Sequence, residues 1–386
     1  MKPLLLTLLT LMIAMPSEAQ SNRYTAFRET FRQELDRAGI AGGSFMFISS
    51  NNVDVNQHYG LANIEKNQNV DSDTIFHWAS NTKPFTGIAI MQLREKGRLR
   101  LSDPVTKYLP ELRKIHNSFG SMDDITIEHL LTHSGGFRGG TWPWRNNKPW
   151  EPFEPTEWSQ LVAMFPFTEV LFKPGSRYSY SNPGIIYLGR IIEEISGESY
   201  ESYIEKNIFR PLGMTRSYFD TTPPQLLKYR SHSYYIENGK RTEGRFDADT
   251  GITVSNSGLN APISDMARYV QFLLGDPAQQ TAYSEVLARR SLEEMWVPRL
   301  KAGVDSNGTP GFTTDIGLIF FIDARNGRKL IGHGGDQNGF LSYIDFDPVK
   351  KTASIIVVNT QILLPPNTPP NDDVMYRLRT AARVLL

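Results

Sequence analysis

The sequence predicts an α/β fold of the α+β type, in which one antiparallel sheet is flanked by N- and C-terminal helices and carries a large, mainly helical insertion. Short apolar or alternating runs separated by turn residues, which are typical of strands, occur near both chain ends, within residues 43–59 and 317–359. Between these regions the apolar residues mostly recur at the spacing of amphipathic helices. We therefore expect the strands of both regions to form one sheet, with the helical segment inserted between them.

The individual elements follow from the spacing of apolar and turn residues. Phe27, Phe31 and Leu35 recur every four residues and Gly39 follows them, which predicts an amphipathic helix that stops at the glycine. The same kind of pattern recurs through the insertion and predicts a terminal helix over residues 374–386. The predicted strands are residues 43–49, 53–59, 317–322, 329–332, 340–346 and 353–359.

These elements predict a single domain over residues 20–386. Its sheet part would comprise residues 20–77 and 310–386, and its insertion residues 78–309. A pocket at the seam between the two parts is the default place for a functional site in such an arrangement.

The composition is that of an ordinary globular protein, and it excludes several kinds of site. Hydrophobic residues make up 40% of the chain and charged residues 21%, so neither disorder nor a fibrous structure is expected. The 41 basic and 41 acidic residues balance, so no overall charge favours nucleic acid or an anionic membrane as a partner. The sequence contains no cysteine, which excludes disulfides, a thiol nucleophile and thiolate metal ligands.

The first residues predict a signal peptide, residues 1–19. Lys2 precedes the apolar residues 4–15, and the small residues Ser17 and Ala19 match a cleavage site. The apolar run is shorter than the roughly 20 residues that a membrane span needs, so an uncleaved anchor is the less favoured alternative. We expect a periplasmic or secreted protein without a stable membrane span after the signal is removed.

Ser80 and Lys83 form the first candidate for catalysis. They lie three residues apart where a helix is predicted to begin, and positions i and i+3 share a helix face, so the amine can reach the hydroxyl. The N–H groups at a helix start also point towards an incoming oxyanion. By itself the pair is weak evidence, because a serine at a helix start is more often an N-cap.

Two further motifs lie later in the chain. Tyr-Ser-Asn at residues 180–182 stands between a turn and a predicted helix, and His-Gly-Gly-Asp at residues 333–336 follows a short predicted strand. Each has a structural alternative, namely a turn with an N-cap for the first and a hairpin for the second. Only the joint presence of these motifs and the Ser80 motif, in this order, is specific.

Together the three motifs resemble those of the serine beta-lactamase and penicillin-binding-protein-like superfamily, on the branch of class C beta-lactamases, D-Ala-D-Ala carboxypeptidases and related esterases. Ser80-x-x-Lys83 is similar to the first motif of that family and Tyr180-x-Asn182 to the second, while His-Gly-Gly at 333–335 stands where many members carry Lys-Thr-Gly. The resemblance runs from about residue 22 to the C-terminus and implies a beta-lactamase/transpeptidase-like fold. Three further stretches match, residues 97–105, 130–136 and 211–214.

The resemblance implies an acyl-transfer site built from protein groups alone. Ser80 would attack a carbonyl group and form an acyl-enzyme, and the backbone N–H groups of Ser80 and Asp336 would stabilise the oxyanion. Gly334 and Gly335 would line the substrate site. Because both the base and the oxyanion hole are supplied by the protein, no cofactor and no metal is implied.

We assign the base to Lys83 and Tyr180 as a coupled pair. A lysine of ordinary pKa is neutral in only about one molecule in 2,500 at pH 7, and a tyrosine of ordinary pKa is ionised little more often. A positive lysine lowers the pKa of a nearby tyrosine and a negative tyrosine raises the pKa of a nearby lysine, so the two would titrate as a unit. Asn182 would orient Lys83 and donate its amide to the substrate.

His333 is the main departure from the family pattern and bears on the substrate. An imidazole is mostly neutral at pH 7, whereas the lysine of Lys-Thr-Gly meets a substrate carboxylate. We therefore expect a small-molecule ester or a peptide amide as substrate, as in an esterase or a D-amino-acid peptidase. The alternatives are a D-Ala-D-Ala carboxypeptidase or weak class C-like beta-lactamase and, from another class, a non-catalytic homologue that binds peptidoglycan or peptides. The oligomeric state is left open.

Residues 141–158 form a segment rich in tryptophan and proline. Trp144 and Trp150 could form an aromatic wall for an acyl or peptide side chain in the pocket. Alternatively, the segment could pack as a proline-stiffened cluster outside the pocket, and the sequence favours neither.

His129 and His133 have the i, i+4 spacing of a zinc-binding pair. Residue 130 is leucine and not glutamate, so the metalloprotease pattern fails. We therefore expect a structural role for both histidines.

Overall fold

The computed structural model describes residues 23–50, 52–141, 155–246, 249–276, 280–304, 310–365 and 368–386. The predicted signal peptide, Trp144 and Trp150 lie outside these residues. The strands, numbered in chain order, are β1 Gly42–Ser49, β2 Asn52–Asn63, β3 Gln68–Asn69, β4 Ile75–His77, β5 Tyr218–Phe219, β6 Tyr234–Glu237, β7 Lys240–Glu243, β8 Leu259–Pro262, β9 Leu300–Lys301, β10 Asp315–Ile316, β11 Phe321–Asp323, β12 Leu330–Gln337, β13 Phe340–Asp347, β14 Thr352–Val358 and β15 Thr360–Ile362.

The structure contains α-helices together with shorter π-helical and 3₁₀-helical turns. The α-helices are α1 Thr25–Ala38, α2 Lys83–Glu95, α3 Ile127–Leu131, α4 Trp158–Met164, α5 Asn182–Ser196, α6 Tyr200–Ile204, α7 Arg210–Leu212, α8 Val254–Ser257, α9 Ile263–Leu274, α10 Gln280–Glu285, α11 Arg289–Glu294 and α12 Val374–Val384. A π-helical turn spans Glu205–Phe209, and 3₁₀ turns span Ala79–Thr82, Val105–Lys107, Pro110–Lys114, Met122–Asp124, Phe165–Phe167, Pro224–Tyr229, Gly251–Thr253 and Pro370–Asp372.

The main sheet joins strands from both chain ends, as the sequence predicts. Within the described residues it has nine strands in the order β3-β2-β1-β14-β13-β12-β11-β10-β9. The central contact is the antiparallel pairing of β1 with β14, in which Gly43 lies opposite Val358. The α+β fold class is therefore confirmed.

The sheet is buried on both faces, which explains the nearly continuous apolar character of its central strands. In β1, Phe45 and Phe47 face a core formed with α1 and α12, whereas Met46 and Ile48 face the larger core formed with the helical part. Alternate residues of one strand therefore hold the two layers together.

Several details of the predicted secondary structure are wrong. Of the strand predicted over residues 317–322, only residues 321 and 322 lie in a strand, β11, because the chain turns after β10 with Ile319 at a φ of 71°. The strand predicted to end at residue 332 runs on to Gln337, because β13 pairs along its whole length. The predicted insertion also contains β5 to β9, and of these β9 joins the main sheet.

A buried ion-pair network joins the last helix to the sheet. Asp345 of β13 accepts hydrogen bonds from Arg379 Nε at 2.8 Å and from Arg383 Nη1 at 2.7 Å. The Arg379 guanidinium also lies 4.3 Å from the ring centres of both Phe312 and Tyr343. Both Arg379 and Asp345 are 1% exposed, so each charge depends on its partner.

In the part of the chain that the structure describes, no helix has both the length and the apolar character needed to cross a membrane.

Candidate active site

Ser80 lies in a tight turn between a strand and a helix. After β4, the Trp78 N–H donates to Leu259 O at 2.8 Å, and its indole N–H donates to Ala261 O at 2.8 Å, so both groups anchor Trp78 to β8. Ala79 then has a φ of 47°, which is uncommon for a residue other than glycine. The predicted helix start is thus a 3₁₀ turn that precedes α2, and it still brings Ser80 and Lys83 together.

Lys83 is the first group at the serine hydroxyl. Its Nζ lies 2.9 Å from Ser80 Oγ and 2.8 Å from the carbonyl oxygen of Asn256. The side chain is fully buried, and this burial lowers the pKa of Lys83 well below the ordinary value of 10.5. Lys83 is thus held against Ser80 in surroundings that favour its neutral, basic form.

Tyr180 is the second group at the serine hydroxyl. Its Oη lies 3.0 Å from Ser80 Oγ, although the two residues are a hundred positions apart in the chain. The Lys83 Nζ lies 5.0 Å from the centre of the Tyr180 ring. The predicted pair of Lys83 and Tyr180 therefore meets at one atom, Ser80 Oγ.

Strand β12 passes directly against the turn that carries Ser80. A Cβ atom at Gly335 would overlap the carbonyl oxygen of Trp78 and would lie 2.7 Å from Ser342 Oγ, so only glycine allows this approach. Ser342 Oγ also accepts a hydrogen bond from Asn81 Nδ2 at 2.8 Å, which ties β13 to the same turn. The predicted oxyanion-hole role of the Ser80 and Asp336 N–H groups remains a prediction.

The side chain of Asp336 is exposed, and it accepts a hydrogen bond from Gln361 Nε2 at 3.0 Å. Its carboxylate is thus engaged with β15, and a contribution of Asp336 to the site would come from its backbone.

His333 lies inside β12 and is 2% exposed. Its Nδ1 lies 2.7 Å from the carbonyl oxygen of Gly334; a carbonyl only accepts, so Nδ1 carries the proton. Burial, reinforced by the nearby Lys83, lowers the pKa of His333 well below 6.5. His333 is therefore neutral, and it brings no cation to the position where Lys-Thr-Gly members carry lysine.

The predicted role of Asn182, which is to orient Lys83 and to donate its amide to the substrate, remains a prediction. Asn182 begins α5, and its backbone N–H donates to Gly139 O at 3.0 Å. Its Oδ1 is buried and has no hydrogen-bond partner among the described residues. A contact that orients Lys83 comes from the carbonyl oxygen of Asn256, a backbone group that no side-chain pattern could reveal.

The two histidines predicted to be structural take up different positions. His129 Nδ1 accepts a hydrogen bond from the Thr126 N–H at 3.2 Å and so caps α3. His133 lies beside the site, with its ring centre 4.6 Å from that of Tyr180. Sequence reasoning missed this second placement, because it depends on the path of residues 178–181.

Part of the aromatic segment is described. Trp158 packs edge-on against Phe165 at 5.7 Å and Tyr187 at 6.2 Å between ring centres, so it lies partly buried against the core of the helical part. Whether Trp144 and Trp150 line the site stays a prediction.

Comparisons with known proteins agree with this arrangement. A family model described as Beta-lactamase matches residues 27–376. Protein flp of Staphylococcus aureus is 24% identical over 84% of the chain and 61% of its own length, so the chain spans about three fifths of that relative. The putative penicillin-binding protein PbpX of Bacillus subtilis is 27% identical over 83% of the chain and 71% of its own length.

Two solved structures have similar folds. The octameric penicillin-binding protein homologue from Pyrococcus abyssi has a TM-score of 0.75 and 26% identity, covering 93% of this chain and 77% of its own. A class C beta-lactamase has a TM-score of 0.73 and 21% identity, covering 94% of this chain and 97% of its own.

Proposed function

This chain belongs to the Beta-lactamase family, which includes serine beta-lactamases and penicillin-binding proteins, and from that premise we propose that it hydrolyses an ester or a peptide amide through an acyl-enzyme at Ser80. The observation that carries the proposal is the position of Ser80 Oγ, which lies 2.9 Å from Lys83 Nζ and 3.0 Å from Tyr180 Oη. A serine hydroxyl is a weak nucleophile until a neighbouring base takes its proton, and both candidate bases are within reach.

The proposed reaction has two halves. Ser80 Oγ forms a bond to the substrate carbonyl carbon while its proton passes to the Lys83/Tyr180 pair, and the carbonyl electrons move onto the oxygen. The tetrahedral species collapses, the alcohol or amine leaves with a proton returned by the pair, and the acyl group stays on Ser80. Water then attacks the acyl-enzyme with the same pair as base, which releases the acid and restores Ser80.

Burial of Lys83 supports this assignment of the base. An ordinary lysine is neutral in only about one molecule in 2,500 at pH 7, and every unit by which the pKa falls raises the neutral fraction tenfold. Since burial lowers the pKa of Lys83 well below 10.5, a far larger fraction can accept the serine proton. Tyr180 contacts the same oxygen and can pass a proton towards the leaving group.

The neutral His333 supports an ester or a peptide amide over a substrate recognised by a free carboxylate. In Lys-Thr-Gly members a lysine at this position offers a positive charge, whereas the buried imidazole offers none. D-Ala-D-Ala carboxypeptidase activity, which the resemblance of the three motifs also implies, is the second candidate. The predicted signal peptide supports an exported protein.

The proposal is tested with four kinds of substrate and one covalent probe. We expect the purified protein to hydrolyse p-nitrophenyl esters or D-amino-acid amides faster than D-Ala-D-Ala peptides or nitrocefin, and a fluorophosphonate to modify Ser80, located by peptide mass spectrometry. Faster turnover of the D-Ala-D-Ala peptide would favour the second candidate. Absence of both turnover and an adduct would favour a non-catalytic binding homologue.

The rate of this labelling should depend on pH through Lys83. The neutral amine is the active form, so the rate should fall as the pH drops through the folded-state pKa of Lys83 and level off above it. Because burial lowers that pKa, the midpoint should lie well below 10.5. Labelling rate constants measured across a pH series with the folded protein give the midpoint. A rate still rising steeply near pH 10 would contradict a neutral Lys83 as the base.

A further inference from the structure

His133 makes hydrogen bonds to the residues on both sides of Tyr180. Its carbonyl oxygen accepts from the Ser179 N–H at 2.8 Å, and its ring Nδ1 accepts from the Ser181 N–H at 3.2 Å. The backbone on either side of Tyr180 is therefore tied to a single residue. Such a double attachment limits the rotation and translation of the Tyr180 backbone relative to His133.

The ring of His133 also contacts the ring of Tyr180. The centres of these two rings are 4.6 Å apart and their planes are tilted by 37°. The ring of Tyr178 also packs edge-on against the His133 ring, with 6.1 Å between the ring centres. His133 is 1% exposed, so it has no room to change its rotamer without moving these neighbours.

The protonation state of His133 suits this contact. Because Nδ1 accepts from an N–H group, the ring proton lies on Nε2. Burial, with a smaller contribution from the charge of Lys83, lowers the pKa of His133 to about 3. A protonated ring would place an N–H at Nδ1 opposite the Ser181 N–H and would lose the hydrogen bond.

The backbone of His133 adopts a conformation that side chains other than glycine seldom take. Its φ is 51°, in the left-handed region, where asparagine, aspartate and histidine are enriched. Backbone strain of this kind persists where the surroundings hold it in place, and it is common next to functional groups. Here the surroundings that hold it are the two hydrogen bonds and the ring contact to the Tyr180 segment.

We propose that His133 is a positioning residue that holds Tyr180 against Ser80, by fixing the backbone on both sides of Tyr180 and one face of its ring. The inference rests on the proposed function, since it assigns to His133 the 3.0 Å separation of Tyr180 Oη from Ser80 Oγ. Proton transfer is sensitive to such distances, and a displacement of about 1 Å can reduce a rate on the order of 100-fold.

Two variants distinguish the hydrogen bond accepted by His133 Nδ1 from the contact between the rings of His133 and Tyr180. His133→Phe keeps an aromatic ring and removes the Nδ1 acceptor, whereas His133→Asn keeps a possible acceptor and removes the ring. Asparagine also tolerates the positive φ of this position. The matched control is His129→Asn, because His129 Nδ1 also accepts a backbone N–H, that of Thr126, but caps α3 instead of holding Tyr180.

The measurements are the fluorophosphonate labelling rate constant of Ser80, corrected for folded protein, and kcat and KM for a p-nitrophenyl ester. We expect His133→Phe to lower the labelling rate and kcat about 100-fold. We expect His133→Asn to lower them less, and KM to change by less than about threefold, because substrate contacts stay in place. His129→Asn should label at the wild-type rate.

Labelling by both His133 variants at the rate of the His129 control would overturn the proposal, even if their melting temperatures fell. If His133→Phe does not fold, His133→Asn decides by the same comparison. A wild-type protein that neither labels nor turns over substrate would instead contradict the proposed function and this inference together.

Discussion

Replacing Ser80 with alanine is expected to abolish covalent labelling by a serine-directed phosphonate and to lower kcat by about 10⁴-fold or more. The physical reason is that the acyl group would have no atom to bind, while Lys83 and Tyr180 would remain in place without a proton to transfer. The fold should persist, because the hydroxyl is the only group removed and it points at the two side chains of the site. The measurement is labelling followed by intact-mass analysis, beside circular dichroism to verify folding.

Ser44→Ala is the matched control for this experiment. Ser44 Oγ also lies next to a possible base, 2.9 Å from His58 Nδ1, but the residue is fully buried in β1 and no substrate can reach it. It should therefore keep wild-type labelling. If a folded Ser80→Ala protein still formed the adduct, the assignment of Ser80 as the nucleophile would be wrong.

The Asp345→Asn variant is expected to lose about 3–5 kcal/mol of the free energy of unfolding. Asp345 neutralises Arg379, which is 1% exposed, and it also binds Arg383. Without the carboxylate, both guanidinium groups would remain in the interior with less compensation, and the attachment of α12 to the sheet would weaken. Urea unfolding of the wild type and the variant measures the difference.

An exposed ion pair provides the comparison for this loss. Glu29 and Arg32 on α1 are 2.6 Å apart and each about half exposed, at 51%. Glu29→Gln should lower the free energy of unfolding far less than Asp345→Asn does, because water screens both charges. If both variants lost the same free energy of unfolding, burial would not be the reason that the ion pairs of Asp345 stabilise the protein.

Much of the fold could be predicted from residues close together in the sequence. The four-residue spacing of Phe27, Phe31 and Leu35 predicted α1, and all three are buried in the helix that forms. Alternating and apolar runs predicted the central strands of the sheet. The boundaries around β12 were missed, because the length of a strand depends on how far its partner pairs with it.

For the site, the sequence was sufficient only where residues close together in the chain set the geometry. The three-residue spacing of Ser80 and Lys83 brings the amine within reach of the hydroxyl in a helical turn, and the resemblance to the family's second motif implied Tyr180 as its partner. The full burial of Lys83, its contact with the carbonyl of Asn256 and the packing of His133 against Tyr180 became visible only in the folded chain. Burial and backbone contacts between distant segments arise from packing of the whole chain, so a local pattern of side chains carries no signal for them.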